Sequence, residues 1–246
     1  MKEEVIQGDC LIEMQKIEDK SVDMILCDLP YGTTACKWDT IIPFEPLWEQ
    51  YKRIIKDNGA IVLTASQPFT TVLINSNFDM FRYCWVWDKV NKYTGAFNAN
   101  KRPMKRHEDV LVFYKKQPTF NPQFRKGVPY TNTRPKGKGE YVGGAGKELD
   151  GKINRSDGEK AYPGSVIEIE GQNHISNHPT QKPVALFEYL IKTYTNEGDL
   201  VLDNCAGSGT TGVACKNLNR NFILIEKEQE YIDIIKKRLT PPRDNI

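Results

Sequence analysis

Several familiar features are missing from this chain, and each absence narrows the field. No apolar run approaches the roughly 20 residues needed to cross a bilayer, so no membrane span is expected. No signal-like leader precedes the first acidic segment, and a cytoplasmic protein is expected. The 6 cysteines (10, 27, 36, 84, 205 and 215) include no CxxC pair, which suggests reduced cytosolic thiols. Histidine is scarce. His174 and His178 stand four apart, but Pro179 follows and no acid lies between them, so no metal site is expected. Net charge is only +2, too little by itself to announce a nucleic-acid partner. What remains is a chain of 246 residues, enough for one α/β core and a small appended module.

Two short segments far apart carry the chemistry. In the first, residues 199–203 (Asp-Leu-Val-Leu-Asp) predict a short buried strand, and residues 210–218 predict the helix after it. Between them lies Gly207-x-Gly209-x-x-Gly212, where glycine lets the backbone turn tightly and approach a ligand at a helix N-terminus. Residues 221–226 read as the next strand, ending in Glu226, an acid placed to accept from the two hydroxyls of a ribose. A dinucleotide is one reading of this pattern. Against it stands Asp203, four residues before Gly207, whose carboxylate would face a pyrophosphate. The same carboxylate suits the ammonium group of S-adenosylmethionine, which is the favoured cofactor.

In the second segment, residues 21–27 predict a buried strand that delivers Asp28-Leu29-Pro30-Tyr31 to its carboxyl end, the edge at which open α/β sheets bind ligands. The amino lone pair of adenine is delocalised into its ring and is a poor nucleophile. Two acceptors, the Asp28 carboxylate and the Leu29 carbonyl, would draw that nitrogen toward a tetrahedral geometry, while Tyr31 stacks on the base. An Asp-initiated turn with packed Pro and Tyr is the bland alternative.

Charge distribution says more than its sum. Lys89, Lys92, Lys101, Arg102, Lys105 and Arg106 follow one another with no acid between, among exposed-type aromatics such as Tyr93 and Phe97. Such a stretch suits a phosphate backbone or a merely solvated surface. Phe44, Leu47, Trp48, Tyr51 and Ile55 recur at helical spacing, with Gly59 expected to end that helix before a strand at 60–65. Phe81, Tyr83, Trp85 and Trp87 alternate as in a half-buried strand, with residues 110–114 its expected neighbour. From about 117 to 173 periodicity fades and glycine and proline accumulate, so this stretch is expected to be irregular or functional.

Taken together, the chain resembles the β class of DNA amino-methyltransferases, whose two halves are circularly permuted. The resemblance spans nearly the whole length. The family tetrapeptide is Asp-Pro-Pro-Tyr, and Leu29 departs from it while keeping the carbonyl that the first proline supplies. Gly8-Asp9-Cys10 resembles the segment whose Asp contacts the cofactor adenine. Asp203, Gly207 and Gly209 match the cofactor loop, with Thr210 and Thr211 beside it, and Glu226 matches the ribose acid. The run from His178 to Pro183, including Lys182, is similar to the segment lining the methionine end, and residues 107–113 resemble the strand that starts His-Glu-Asp near the target base.

The resemblance implies a doubly wound, Rossmann-like α/β sheet in permuted order. Residues 1–116 would form the catalytic half, 117–173 an inserted target-recognition region and 174–246 the cofactor half. It implies methyl transfer from S-adenosylmethionine to adenine N6 in double-stranded DNA, with no metal. Cytosine N4 is the alternative, although cytosine members usually carry Ser where Asp28 stands. Cytosine C5 is disfavoured because no Pro-Cys pair exists here. An NAD-dependent oxidoreductase and a non-catalytic DNA-binding relative are the competing classes, and RNA stays open as a substrate. Arg125, Arg134, Lys136 and Arg155 join the basic stretch as candidate DNA contacts. A homodimer and a cognate restriction endonuclease are candidate partners.

Overall fold

Residues 22–27 show why the centre of the molecule is a sheet covered on both faces. Met24 and Leu26 are wholly buried on one side, and Ile25 and Cys27 on the other. That is the period of a strand with no face left for solvent, the pattern of a parallel sheet between helices.

A computed structural model describes residues 2–33, 39–133, 136–138, 148–150, 153–171 and 181–240. They fall into two units, Met1–Asn121 with Ser165–Ile246, and Pro122–Gly164. In chain order the strands are β1 (Glu3–Gln7), β2 (Val22–Cys27), β3 (Ile55–Ala65), β4 (Phe81–Asp88), β5 (His107–Phe113), β6 (Tyr130–Thr133), β7 (Lys136–Lys138), β8 (Glu148–Asp150), β9 (Ile153–Ser156), β10 (Val166–Glu168), β11 (Leu200–Asp203) and β12 (Asn221–Glu226). The α-helices are α1 (Cys10–Glu13), α2 (Phe44–Ile54), α3 (Phe69–Ser76), α4 (Val184–Tyr194), α5 (Thr210–Asn217) and α6 (Gln229–Leu239). Among the described residues no helix is long and apolar enough to cross a membrane.

The larger unit carries an eight-stranded sheet in the order β1-β12-β11-β2-β3-β5-β4-β10. Every neighbouring pair is parallel except β3 with β5 and β4 with β5. One apolar layer joins α4, α5 and α6 to the sheet through Leu186, Phe187, Leu190, Ala214, Ile232 and Ile235. The other joins α2 and α3 through Leu47, Trp48, Tyr51, Ile54, Phe69 and Leu73. Each Leu, Ile or Phe among them contributes about 1.5–3 kcal/mol on leaving water. The stripe expected for α2 is thus core.

Two details depart from expectation. Gly59 does not end a helix: α2 gives way at once to β3, where Val22 pairs with Ile55 and Met24 with Ala60, so residues 56–59 bulge from the ladder. A Cβ on Gly59 would sit 2.8 Å from the Asp23 carbonyl oxygen and 2.7 Å from Ile55 Cδ1. Glycine is required there by close approach. Residues 166–168, expected inside the irregular stretch, instead form β10 on the main sheet beside β4, with Ile167 buried and the Trp87 indole donating to the Ile169 carbonyl at 2.8 Å.

In the smaller unit β6 pairs with β9 and β7 with β8, both antiparallel. Arg125 and Ala161 form an isolated antiparallel bridge, and Phe124 packs on Tyr162 with ring centroids 5.1 Å apart.

Candidate active site

The sheet order brings the two motifs together. Strands β11 and β2 are parallel neighbours, with Val201 opposite Met24 and Leu202 opposite Ile25. From β11 the chain passes through α5 to β12 on one side; from β2 it passes through α2 to β3 on the other. Their carboxyl ends therefore flank a switch point, the crevice in which doubly wound sheets bind ligands. Asp203 ends β11 and Asp28 follows β2. A cavity of about 700 Å³ opens there, and Asp9, Asp28, Lys182, Asp203 and Glu226 all line it.

The cofactor side is built on the backbone. Gly207 (φ 50°) and Gly209 (φ 78°) hold left-handed turns that side chains rarely adopt. A Cβ on Gly212 would meet Leu224 Cδ1 at 2.7 Å, so α5 lies closer to β12 than a side chain allows. Asp203 is only 3% exposed. Its carboxylate accepts from the Cys205 backbone N–H at 3.1 Å and from the Thr211 hydroxyl. Burial nevertheless pushes its pKa up to about 6, against those hydrogen bonds. A buried carboxylate that has no cation partner among the described residues is suited to receive one.

Glu226 accepts from the backbone N–H groups of Gly207 (2.8 Å), Lys227 (2.8 Å) and Glu228 (2.9 Å). Burial raises its carboxyl while those bonds oppose the rise. Asp9 caps α1 through the Leu11 N–H at 3.0 Å and reaches the same crevice because β1 runs beside β12, with Gln7 opposite Glu226. Thr210 is buried, its hydroxyl 3.5 Å from the Lys182 carbonyl.

On the catalytic side, Asp28 Oδ1 accepts from the Tyr31 hydroxyl at 2.8 Å and from Thr64, and Oδ2 accepts from Lys182 Nζ at 2.6 Å. Tyr31 stacks on Phe69, with centroids 5.0 Å apart and planes inclined by 25°. Burial, then the Asp28 charge, push its phenol well above the ordinary value, so it stays a donor. Leu29 turns its side chain into the core at 3% exposure, while Pro30 is half-buried at the cavity wall. Asp39 braces the turn, accepting from the Gly32 and Thr33 N–H groups at 2.9 Å each.

Thr64, Phe69 and Asp39 carry no motif signal and emerge only from the structure. Glu108 belongs to the His-Glu-Asp strand that the resemblance put near the target base, but its partners emerge only from the structure. Its Oε1 accepts from Lys89 at 2.5 Å, and its Oε2 lies 3.4 Å from Lys182. Burial opposes ionisation, but the two lysines hold its carboxyl below the ordinary value.

Not every predicted phosphate contact faces outward. Lys89 is 6% exposed and bound to Glu108, which corrects its reading as a surface cation. Lys105 donates to Ser66 Oγ at 2.6 Å and to the Gln67 carbonyl, and Arg106 pairs with Asp88. Lys92 lines the cavity. Lys101 and Arg102 are exposed beside Phe97, whose side chain is fully in solvent. In the smaller unit Arg125 and Arg155 are exposed and Lys136 lies on β7. Arg134 lies outside the described residues, as does His178 of the run leading to Lys182.

Fold and site together define a doubly wound α/β enzyme in which a cofactor crevice and an acid-aromatic clamp meet at one switch point. A family model described as DNA methylase, that of the N6 and N4 amino-methyltransferases, matches residues 22–237, and the chain belongs to this family. It is 30% identical over 258 residues to the type II methyltransferase M.HpaI of Haemophilus parainfluenzae, covering 97% of this chain and 74% of the relative. It is 31% identical over 255 residues to the DNA adenine methyltransferase YhdJ of Escherichia coli K12, covering 96% and 82%. The crystal structure of the M1.HpyAVI–SAM complex superposes with a TM-score of 0.64 at 29% identity over 97% of this chain and 99% of that one. PvuII DNA methyltransferase, which is cytosine-N4-specific, shares the fold with a TM-score of 0.71 at 16% identity over 100% and 88% of the two chains.

Proposed function

We propose that this chain transfers a methyl group from S-adenosylmethionine to the N6 amino group of adenine in duplex DNA. The observation that carries the reading is the convergence of Asp203 and Asp28 on one cavity from adjacent strand ends. The residues fit this cofactor. Asp203 offers a buried, cation-seeking carboxylate to the ammonium group, Gly207 and Gly209 let the backbone approach, and Glu226 and Asp9 stand where ribose and adenine would be held. When bound, the cofactor supplies an electrophilic methyl group on a positively charged sulfur.

The chain supplies the rest. Asp28 and the Leu29 carbonyl accept from the amino hydrogens, which frees the nitrogen lone pair, and Asp28 receives the proton that the nitrogen loses. Thr64 and Tyr31 fix the Asp28 carboxylate through Oδ1. Tyr31, braced by Phe69, offers the aromatic surface for an extruded base. Such positioning and electrostatic complementarity carry most of the acceleration. Adenine is preferred because the clamp residue is Asp28, and because a relative matched along most of its length is named a DNA adenine methyltransferase. Lys101 and Arg102, exposed after Phe97 on the loop between β4 and β5, are the proposed phosphate contacts outside the crevice.

The test is incubation with unmethylated genomic DNA and methyl-labelled S-adenosylmethionine, digestion to nucleosides and mass spectrometry. Labelled N6-methyladenine is expected. Labelled N4-methylcytosine would overturn the base assignment, and no label in DNA would overturn the substrate.

A further inference from the structure

Lys182 stands where the substrate has to go. Its ammonium donates to Asp28 Oδ2 at 2.6 Å, the oxygen that Tyr31 and Thr64 leave open, and it sits 5.5 Å from the centroid of the Tyr31 ring. On the reading above, that oxygen must accept from the target amino group and that ring must meet the base. A cation fixed there also opposes the reaction, because the nitrogen gains positive charge as the methyl group arrives.

A second position for the ammonium exists in the same structure. Glu108 Oε2 lies 3.4 Å from Lys182 Nζ, close enough to attract it but out of line for a hydrogen bond. This oxygen is buried, and among the described residues it meets the Lys182 ammonium only at 3.4 Å, longer than a full hydrogen bond. Glu108 cannot turn away to solve the problem itself, because Lys89 holds Oε1 at 2.5 Å and is itself buried.

We propose that Lys182 is a movable cap on the catalytic carboxylate, seated on Asp28 in the empty enzyme and withdrawn to Glu108 Oε2 when the target base enters. Glu108 is then a positioning residue: it touches neither base nor methyl group, and acts by receiving the lysine. Lys89 keeps that receiving oxygen aimed. Closing the 3.4 Å gap to hydrogen-bond distance is within the freedom of a lysine side chain. Burial would lower the Lys182 pKa, but Asp28 and Glu108 outweigh it and push it up to about 12, so the group travels as a cation. Asp28, Lys182, Glu108 and Lys89 alternate in charge, two carboxylates and two ammonium groups, and balance one another.

The inference rests on the amino-transfer reading, and two measurements separate its failure from failure of that reading. The first is a crystal structure of Asp28→Asn, which keeps the shape and removes the charge. Lys182 Nζ is expected at hydrogen-bond distance, ~2.7–3.2 Å, from Glu108 Oε2. Retention at residue 28, or departure from both, overturns the proposal whatever the enzyme methylates. The second is single-turnover methylation by Glu108→Gln in wild-type and Lys182→Gln backgrounds, with cofactor affinity measured alongside. In the wild-type background a rate loss on the order of 10²-fold is expected, the scale of an ångström-sized misplacement, with cofactor affinity unchanged. With Lys182 replaced, the same substitution is expected to cost little more, because the cation that needed a second seat is gone. Equal losses in both backgrounds, an unchanged rate, or a loss confined to cofactor binding overturns it.

Discussion

Replacing Asp203 by Asn should make the ligand-free protein more stable at neutral pH while destroying its affinity for cofactor. The side chain is 3% exposed, and burial lifts its pKa from the ordinary 3.8 to about 6. A carboxyl whose folded-state pKa exceeds its unfolded value favours the fold below about pH 4 and loses that contribution as pH rises through 6. At pH 7 the ionised group therefore costs the empty enzyme about 3 kcal/mol. An amide removes the charge and preserves the geometry: its oxygen still accepts from the Cys205 N–H, and its nitrogen donates to the Thr211 hydroxyl that now donates to Asp203. At roughly 2–4 °C per kcal/mol for a chain of this size, the gain in Tm approaches 6–12 °C. The assay is thermal unfolding of both proteins between pH 4 and 8, with and without S-adenosylmethionine. The difference between them should vanish near pH 4 and grow to its full size by pH 7, and only the wild type should be stabilised by cofactor. A variant less stable than wild type at pH 7.5, or a difference independent of pH, would refute the claim that Asp203 is a strained, cation-seeking carboxylate.

Asp28→Ala should abolish methyl transfer and leave cofactor affinity within a few-fold of wild type by calorimetry; equal loss of cofactor affinity in Asp28→Ala and Asp203→Ala would contradict the division of roles. Gly209→Ala forces a φ of 78° on a residue with a Cβ and places that atom 2.9 Å from Ile235 Cγ1. It should cost about 1–3 kcal/mol by denaturant titration, since left-handed backbone and overpacking both oppose it. Lys101→Ala with Arg102→Ala should weaken DNA binding at all sequences alike and lower the salt slope by about 2, read from affinity across a salt series. An unchanged slope would remove these two cations from the interface.

What the sequence revealed about the site was the set of strand ends. Residues 200–203 end in an acid and residues 22–27 are followed at once by one, and both proved to be central strands whose carboxyl ends meet at the switch point. The charge network was illegible for a physical reason. Lys182 and Asp28 are separated by 154 positions, and a lysine reads the same in sequence whether it faces phosphate or a buried carboxylate. Lys89 was therefore grouped with the surface cations, although it is buried and bound to Glu108 at the cavity wall. Gly59 misled in a similar way: glycine after an amphipathic stripe signals a helix end, yet here it answers a close approach to the Asp23 carbonyl that only the sheet reveals. The edge strand β10 went unseen because three residues carry too little periodicity to stand out.

The permuted order explains why so much survived the reversal of the chain. A site at a switch point depends on which strands are neighbours and on where they end, and not on which is made first. Strand β1, the first in the sequence, pairs with β12, the last, so Asp9 and Glu226 close the same end of the crevice from opposite ends of the chain. Strand β2 then lies against β11 with its carboxyl end aligned, and the acid that serves the cofactor stands beside the acid that serves the base. The constraint on this sequence is therefore register. Slipping β11 against β2 by one residue would turn Asp203 to the opposite face of the sheet, away from Thr211, and would separate the two acids without altering either motif. Substitutions that loosen that pairing, such as Leu202→Ala in the layer beneath α2 and α3, should accordingly reduce cofactor affinity and turnover together, where Asp28→Ala reduces turnover alone.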